Sequence, residues 1–326
     1  MAARDVKGAM VAGPLANVSV QYRDKGYIGD GVFPIIERVP AKAKITVYKK
    51  GAYFRDEAEI RAPRTRAPRG SLITDSIDVL PKEYAFASEV TDEDRKHAKQ
   101  QGAPPIQPDQ DAIELSSDKI DLKKEVRVAG LVLGGTWSGV AGEDAAGLWA
   151  PNDATNTFIA DVLARIETIR SATGLRPNKL VIDFGTYNAL KKLDALLDRI
   201  KYTQRGILSA DLIAAMFDLE EVLIGEAIKS TAKEKKDGTD FTAANIWEKN
   251  AGKGAAFLYY APKTPGLKIP SAGYQCREWY DNGLARRTET WRENAEHQDV
   301  YEVAESTDIV QVGADLGFLW YDTLLT

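Results

Sequence analysis

The sequence predicts an α+β protein in which a compact α/β unit is inserted between parts of a second domain. Residues 177–269 alternate short apolar strands with helices, as an α/β unit does. The chain on either side instead shows two-residue alternation of apolar and polar side chains, at 43–49 and again at 299–312, and one long helical pattern at 109–133. A length of 326 residues suffices for two such domains.

The N-terminal part of the chain predicts an extended arm followed by a protruding hairpin. Residues 1–32 carry scattered Gly, Asn and Pro with only short apolar pieces. Strands are expected at 43–49 and 71–80, around a tip at 55–70 that has two prolines and almost no apolar side chains. Because an isolated hairpin is marginally stable in water, we expect something outside the subunit to support it.

Two helices are expected next. Thr91, followed by three acidic residues, is a good helix cap, and this helix should end near Gly102. A longer helix over 109–133 should bury one apolar face formed by Leu115, Leu122, Val126 and Ala129. Glu125 and the lysines at 119, 123 and 124 are expected to face water.

The remaining elements follow from the same periodicities. A helix beginning at Phe158 should end at Gly174. Further strands are expected at 179–184, 221–225 and 255–261, with helices at 187–200 and 209–217 and a charged, solvated loop at 230–240. Strands at 299–312 and 315–322 close the chain.

The charge is unevenly distributed. Residues 38–69 carry ten Lys or Arg against three acidic residues, a local charge of +7, which leaves −12 on the rest of a chain whose net charge is −5. An acidic protein is not a typical dedicated nucleic-acid binder. A basic segment on an acidic body is also what docking onto another copy of the same chain requires.

The composition excludes several classes of protein. A single cysteine, Cys276, rules out an intrachain disulfide framework and indicates a reducing cytoplasm. The N-terminus lacks the apolar region of a signal peptide. No window reaches the roughly 18–20 apolar residues of a membrane span, so no membrane association is expected.

No arrangement of residues predicts a reaction, so we expect no catalytic residue, no metal and no cofactor. The two histidines, His97 and His297, lie in charged, polar runs, and Cys276 is best explained as a packing residue. The Gly252-Lys-Gly254 turn lacks the remainder of a phosphate loop. Four tryptophans away from the basic segment are interpreted as packing residues: Trp247, Trp279, Trp291 and Trp320.

The order of these parts resembles the Hong Kong 97-type major capsid protein of tailed bacteriophages, over nearly the whole chain. The similar stretches include Gly13-Pro-Leu-Ala-Asn, Val32-Phe-Pro-Ile-Ile, Glu83-Tyr-Ala-Phe-Ala and Asp308-Ile-Val-Gln-Val. The resemblance implies an N-terminal arm (1–32), an extended loop (33–80), a peripheral domain (81–176 and 270–326, with a spine helix at 109–133) and an axial domain (177–269).

The resemblance also implies a structural function. Copies of the chain would assemble as hexamers and pentamers into an icosahedral shell around double-stranded DNA, in the virion, after assembly in the host cytoplasm. Implied partners are the chain itself, a scaffolding protein, a portal, a decoration protein, and packaged DNA through non-specific contact. The expected inter-subunit contacts are made by the arginines of the hairpin: Arg55, Arg61, Arg64, Arg66 and Arg69.

Three alternatives stay open. An encapsulin-type nanocompartment shell protein has the same fold and holds enzymes in place of DNA. A hydrolase with an unrecognised carboxylate site in the α/β unit requires a deep pocket and carboxylates of perturbed pKa. A nucleic-acid-binding protein that uses residues 38–69 requires tight, salt-dependent binding by the monomer.

Overall fold

The computed structural model describes residues 26–100, 106–150, 155–194, 196, 208–233, 241–266, 268–280 and 283–324. Three expectations fall wholly or partly outside these residues: the arm up to residue 25, the charged loop over 234–240, and the ends of the helices expected at 91–102 and 187–200.

The first of two large sheets is built around one long strand. Strand β13 (Gln298–Gln311) pairs antiparallel with β4 (Lys82–Thr91) on one edge, and with β12 (Arg286–Glu293) and β11 (Gly273–Arg277) on the other. The short β1 (Ile35–Ile36) adds parallel to β11. The long alternating strand expected at 299–312 is therefore confirmed.

Two helices flank this sheet. Helix α2 (Asp92–Ala98) is capped by the Thr91 hydroxyl, which accepts the Asp94 N–H at 3.2 Å, as the sequence predicts. Helix α3 (Pro108–Gly134) matches the long helix expected at 109–133 and lies along β13. A proline at the first helical position costs nothing, because that N–H has no partner within a helix.

The expectation for the faces of α3 is partly wrong. Lys119 and Lys123 are exposed as expected, whereas Lys124 is 6% and Glu125 1% exposed. Leu115, expected in the apolar face, is 44% exposed. The reason is that both buried charges have partners far along the chain. The buried face of the helix therefore includes positions 124 and 125.

The second sheet has the strand order β5-β14-β10-β6-β7. Its strands are β5 (Glu143–Asp144), β6 (Lys179–Asp183), β7 (Glu221–Gly225), β10 (Ala255–Tyr259) and β14 (Gly317–Tyr321). Helices α4 (Phe158–Thr173), α5 (Phe184–Leu190) and α6 (Ala210–Phe217) accompany it. Helix α4 ends at Gly174, whose left-handed φ of 74° suits glycine, as expected.

Two details differ from the sequence prediction. The closing strand was expected in the peripheral domain, yet β14 pairs antiparallel with β10 in the second sheet. The helix expected at 187–200 begins earlier, because the Asp183 carboxylate caps α5 at the Gly185 and Thr186 N–H groups. The remainder of the domain division stays a prediction.

Apolar packing accounts for most of the residues interpreted as core. Trp247 and Trp320 are each 2% exposed, and Cys276 is buried in a small cluster with Val79 and Tyr274. Trp291 is 40% exposed, so the packing interpretation is wrong for that residue. No described helix combines the length and the apolar composition that crossing a membrane requires.

Two hairpins complete the described chain. Strands β2 (Ala43–Tyr48) and β3 (Thr74–Val79) pair antiparallel, with Ala43 opposite Val79 and Tyr48 opposite Thr74, which confirms the predicted hairpin. Strands β8 (Ile228–Ser230) and β9 (Ala243–Asn245) form a smaller one.

Candidate functional site

The base of the β2–β3 hairpin is fixed to its own subunit. The Lys50 ammonium donates to the Ala172 carbonyl at 3.1 Å, at the end of α4, and also pairs with Asp315. The Phe54 ring lies so close to Gly174 that a β-carbon there would be 3.0 Å from Phe54 Cζ. The orientation of the hairpin is therefore tied to α4.

Exposed ion pairs flank the hairpin ladder. Lys44 lies 3.2 Å from Asp78, and Lys49 lies 2.8 Å from Asp75. The hydrogen bond from Lys49 lowers the pKa of Asp75. Because such exposed pairs contribute about 0–1 kcal/mol each, they set the register of the hairpin more than its stability.

Beyond Phe54, the tip of the hairpin is exposed to solvent. Residues 53–73 are all exposed, and 55–73 belong to no strand or helix. A turn at 62–65 is held by Thr65, which donates to the Ala62 carbonyl from both its N–H and its hydroxyl. The tip thus projects as an irregular loop.

The structure brings the five predicted contact arginines together on this tip. Arg55 lies 3.6 Å from Glu57. No other described residue forms an ion pair with the remaining four, Arg61, Arg64, Arg66 and Arg69. Four guanidinium groups are therefore available to an external partner.

Apolar residues on both sides of the arginines were missed by the sequence analysis. Tyr53, Phe54, Leu72 and Ile73 are 54–65% exposed, and Ile60 is fully exposed. A contiguous exposed apolar patch marks an interaction surface. The signal was present in the sequence, since two apolar pairs bracket the basic run, but Leu72 and Ile73 were assigned to a strand and Tyr53 and Phe54 to no element.

A complementary surface lies on the first sheet. Glu305 and Thr307 of β13 contact α3, so Glu302, of opposite parity in the strand, points away from it. The register places carboxylates of β4 and β12 on the same side. We call this the acidic sheet face, formed by Glu83, Glu89, Glu289, Glu293 and Glu302.

Its negative charge is only partly neutralised. One cation on this face, Arg287, lies 2.9 Å from Glu83 and 3.4 Å from both Glu289 and Glu302. At the β12–β13 turn, Glu293 and Glu296 share one donor, the amide of Gln298. The neighbouring Glu293 carboxylate raises the pKa of Glu296. This crowding of carboxylates suits a cationic partner.

The described residues do not assemble a catalytic or metal site. Among them, no three His, Cys, Asp or Glu side chains are grouped to hold a metal ion. A groove of about 420 Å³ beside α4 is lined by Leu163, Glu167 and Arg170, among others. His97 and His297 are exposed, as expected.

The Asp183 carboxylate, whose pKa is raised, has a structural role. Burial, followed by the charge of Glu248, raises the pKa of Asp183 to about 6. Its Oδ2 caps α5, and Gly254 approaches so closely that a β-carbon there would be 2.3 Å from Thr186 Oγ1. The cluster leaves no room for a substrate.

We expect Asp183→Asn to remove a pH dependence of stability. Because the folded pKa lies above the unfolded value near 4, the wild-type protein should lose stability as the pH rises from 5 through 6 to 8, by about 1.4 kcal/mol. Asparagine caps helices as well as aspartate does and has no charge to bury. Urea unfolding at pH 5 and pH 8 tests this, and an identical pH dependence in both proteins would contradict it.

No protein-family model matches the chain. It is 29% identical to the major capsid protein of Burkholderia phage BcepMu over 322 residues, which cover 94% of each chain. A phage-related protein from Bordetella bronchiseptica has a TM-score of 0.66 at 22% identity, with 94% and 95% of the two chains covered. The capsid of cyanophage P-SCSP1u gives 0.61 at 10% identity, covering 94% and 90%. An encapsulin of Synechococcus elongatus gives 0.54 at 12% identity, covering 100% and 98%.

The fold is therefore that of the Hong Kong 97-type shell proteins. Within this class, the chain is a homologue of a phage major capsid protein, and the resemblance stated from the sequence is confirmed. Such a relative is a structural protein, which agrees with the expectation that the chain is not an enzyme.

Proposed function

We propose that this chain is the major capsid protein of a tailed phage and forms its icosahedral head shell around double-stranded DNA. The observation that carries the proposal is the hairpin tip, in which residues 55–73 are exposed and Arg61, Arg64, Arg66 and Arg69 form no ion pair with any described residue of the subunit. Exposed groups of this kind suit a subunit that docks onto its neighbours.

In this proposal the tip of one subunit docks onto the acidic sheet face of a neighbour. Arginine suits this contact, since its planar fork grips a carboxylate with two hydrogen bonds. Glu89 and Glu289 present carboxylates beside Val300 and Glu302 on the central strand. Pro63 and Pro68 stiffen the tip and prevent it from pairing with a stray strand edge.

Apolar contacts and ion pairs would contribute differently to this docking. Burying a large apolar side chain fully contributes about 1.5–3 kcal/mol, whereas an exposed ion pair contributes about 0–1 kcal/mol. Tyr53, Phe54, Leu72 and Ile73 would therefore supply most of the affinity. The arginines would fix the orientation and disfavour wrong partners.

The domain division supports this arrangement as a working scheme. Residues 33–80 would be the extended loop, 81–176 and 270–326 the peripheral domain with α3 as its spine, and 177–269 the axial domain. Axial domains would meet at the centres of hexamers and pentamers. Strand β14 would then tie the end of the chain into the axial sheet.

Further partners belong to the same proposal. A scaffolding protein, a portal and a decoration protein would join during assembly in the host cytoplasm, and the finished shell would contact packaged DNA non-specifically. The net charge of −5 supports this order of events, because an acidic subunit does not condense on nucleic acid before it assembles.

A second candidate, an encapsulin-type shell, is favoured by one observation, the structural likeness to an encapsulin. The content of purified particles distinguishes the two. Packaged DNA, with terminase and portal genes adjacent, supports the capsid, and an enclosed enzyme encoded next to the chain supports the nanocompartment.

We expect the overexpressed protein to sediment as shells or capsomers in place of a compact monomer. The apolar and cationic groups of the tip are exposed in the single subunit, and obligate interfaces of this kind bury about 2,000–5,000 Å². Sedimentation velocity and electron microscopy test this. A stable monomer at high concentration, with a scaffolding protein supplied, would count against the proposed function.

A further inference from the structure

A buried carboxylate joins three separate parts of the subunit. Glu125, in the middle of α3, is 1% exposed. Its Oε2 accepts the Gly29 N–H at 2.6 Å. Its Oε1 accepts the Ile28 N–H at 3.2 Å and the indole N–H of Trp247 at 2.6 Å. One side chain thus holds the N-terminal segment on one side and the loop between β9 and β10 on the other.

Both contacts are closely fitted. A β-carbon on Gly29 would lie 2.7 Å from Glu125 Oε2. A β-carbon on Gly225, at the end of β7, would lie 2.4 Å from the Trp247 ring. The N-terminal segment therefore packs directly against the carboxylate, and the indole packs directly against the backbone of β7. A displacement on either side changes the hydrogen bonds that the carboxylate accepts.

The N-terminal segment is also tied to both sheets. We call residues 28–32, which include the short helix α1 (Gly29–Val32), the entry segment. Gln275 of the first sheet donates to the Gly29 carbonyl at 2.6 Å. From the second sheet, the Tyr259 hydroxyl donates to the Val32 carbonyl and the Lys179 ammonium to the Gly31 carbonyl, each at 2.8 Å. The segment is therefore hydrogen-bonded to both sheets.

The charge on Glu125 makes these donors interdependent. Burial raises the pKa of Glu125, and the hydrogen bonds from Trp247, Ile28 and Gly29 oppose that rise, while Asp30 adds to it. Its neighbour Lys124 is directed to Asp30 and Glu305 instead. The carboxylate therefore relies on neutral donors, and an under-satisfied buried charge is costly.

We propose that Glu125 couples the entry segment to the packing of the second sheet against α3, and we call this arrangement the latch. When the entry segment moves away, the carboxylate loses two of its three hydrogen-bond donors. Its hydrogen bond with the Trp247 indole is then weakened. By thermodynamic reciprocity, release of Trp247 loosens the entry segment to the same extent. The inference concerns the subunit itself and holds whichever particle the chain builds.

Hydrogen exchange on the full-length protein tests this coupling in both directions. Gly29→Ala pushes on the carboxylate from the entry side, and Trp247→Phe removes the donor on the other side. We expect Gly29→Ala to speed amide exchange at least tenfold at 243–248, and Trp247→Phe to do so at 28–32. Glu114→Gln, an exposed carboxylate on the same helix, serves as the control and should change neither segment.

The latch is refuted if each substitution speeds exchange only in its own segment. Should Gly29→Ala not fold, the milder Trp247→Phe decides alone through exchange at 28–32, and a rate there within twofold of wild type overturns the inference. Glu125→Gln, which keeps the shape but lacks the charge, should speed exchange in both segments together.

Discussion

Reversing the four unpaired arginines of the tip, Arg61, Arg64, Arg66 and Arg69, to glutamate should leave a folded subunit that no longer forms closed shells. The change replaces four attractions to carboxylates with repulsions. At up to ~1 kcal/mol for each exposed pair, the loss is about 2–4 kcal/mol at every subunit contact. A shell repeats this contact many times, so its assembly should fail outright. Circular dichroism reports the folding and electron microscopy the shells.

A charge swap then identifies the docking surface. Glu89→Arg together with Glu289→Arg on the acidic sheet face should restore shells in the arginine-reversed variant. Changing the same four arginines to lysine, which retains the charge but not the fork, is the matched control and should still give shells. Normal particles from the reversed tip would refute docking by the arginines. Failure of the swap alone would move the docking site elsewhere, and loss of folding would mean that the hairpin belongs to its own core.

The largest effect on folding is expected from Glu305→Ala. This carboxylate is 2% exposed and lies 3.3 Å from Lys124, 3.0 Å from Arg277 and 2.8 Å from Arg286. Removing one partner of a buried ion pair costs about 3–5 kcal/mol. Without Glu305, the three cations Lys124, Arg277 and Arg286 retain, among the described residues, only their more exposed partners Asp30, Glu37 and Asp121. Urea unfolding at room temperature should therefore show a midpoint at a much lower urea concentration than that of the wild-type protein. Glu302→Ala, three residues earlier and more exposed, should cost less than about 1 kcal/mol.

The pH dependence of this site has the opposite sign to that of Asp183. Burial alone would raise the pKa of Glu305, but Lys124, Arg286 and Arg277 outweigh it and the net pKa is lowered. The ion cluster therefore stabilises the fold above the unfolded pKa near 4.5, and this contribution is lost as the pH falls further. Equal loss of stability in wild type and Glu305→Gln on acidification would contradict this.

Most secondary structure could be predicted, because it depends on local patterns. The helix expected at 109–133 and the strands of the basic hairpin follow from periodicity and turn residues, and the structure agrees to within a few residues. Strand β4 was not predicted as a separate element. Its ten residues are stabilised by pairing with β13, more than 200 positions away, so the sequence shows no local reason for its length.

The buried charges could not be predicted for a related reason. A helical pattern assigns Lys124 and Glu125 to water, since most charged residues are exposed. Glu125 is buried because the backbone of residues 28 and 29, 96 or 97 positions earlier, supplies its donors. Likewise the acidic sheet face exists only once the register of three strands is fixed. The candidate arginines were identifiable because charge and proline content are local properties.

The exposed tip also bears on the fate of subunits that do not assemble. Residues 55–73 offer an irregular backbone with five arginines, none followed directly by proline, which is a substrate that trypsin-like proteases accept. A subunit in solution would be cut there, whereas in the proposed shell a docked tip would be covered by its neighbour. Cleavage would sever the apolar and basic contacts together and leave a subunit that cannot join a shell. Under the proposed function, sensitivity to protease would therefore report how far assembly has proceeded.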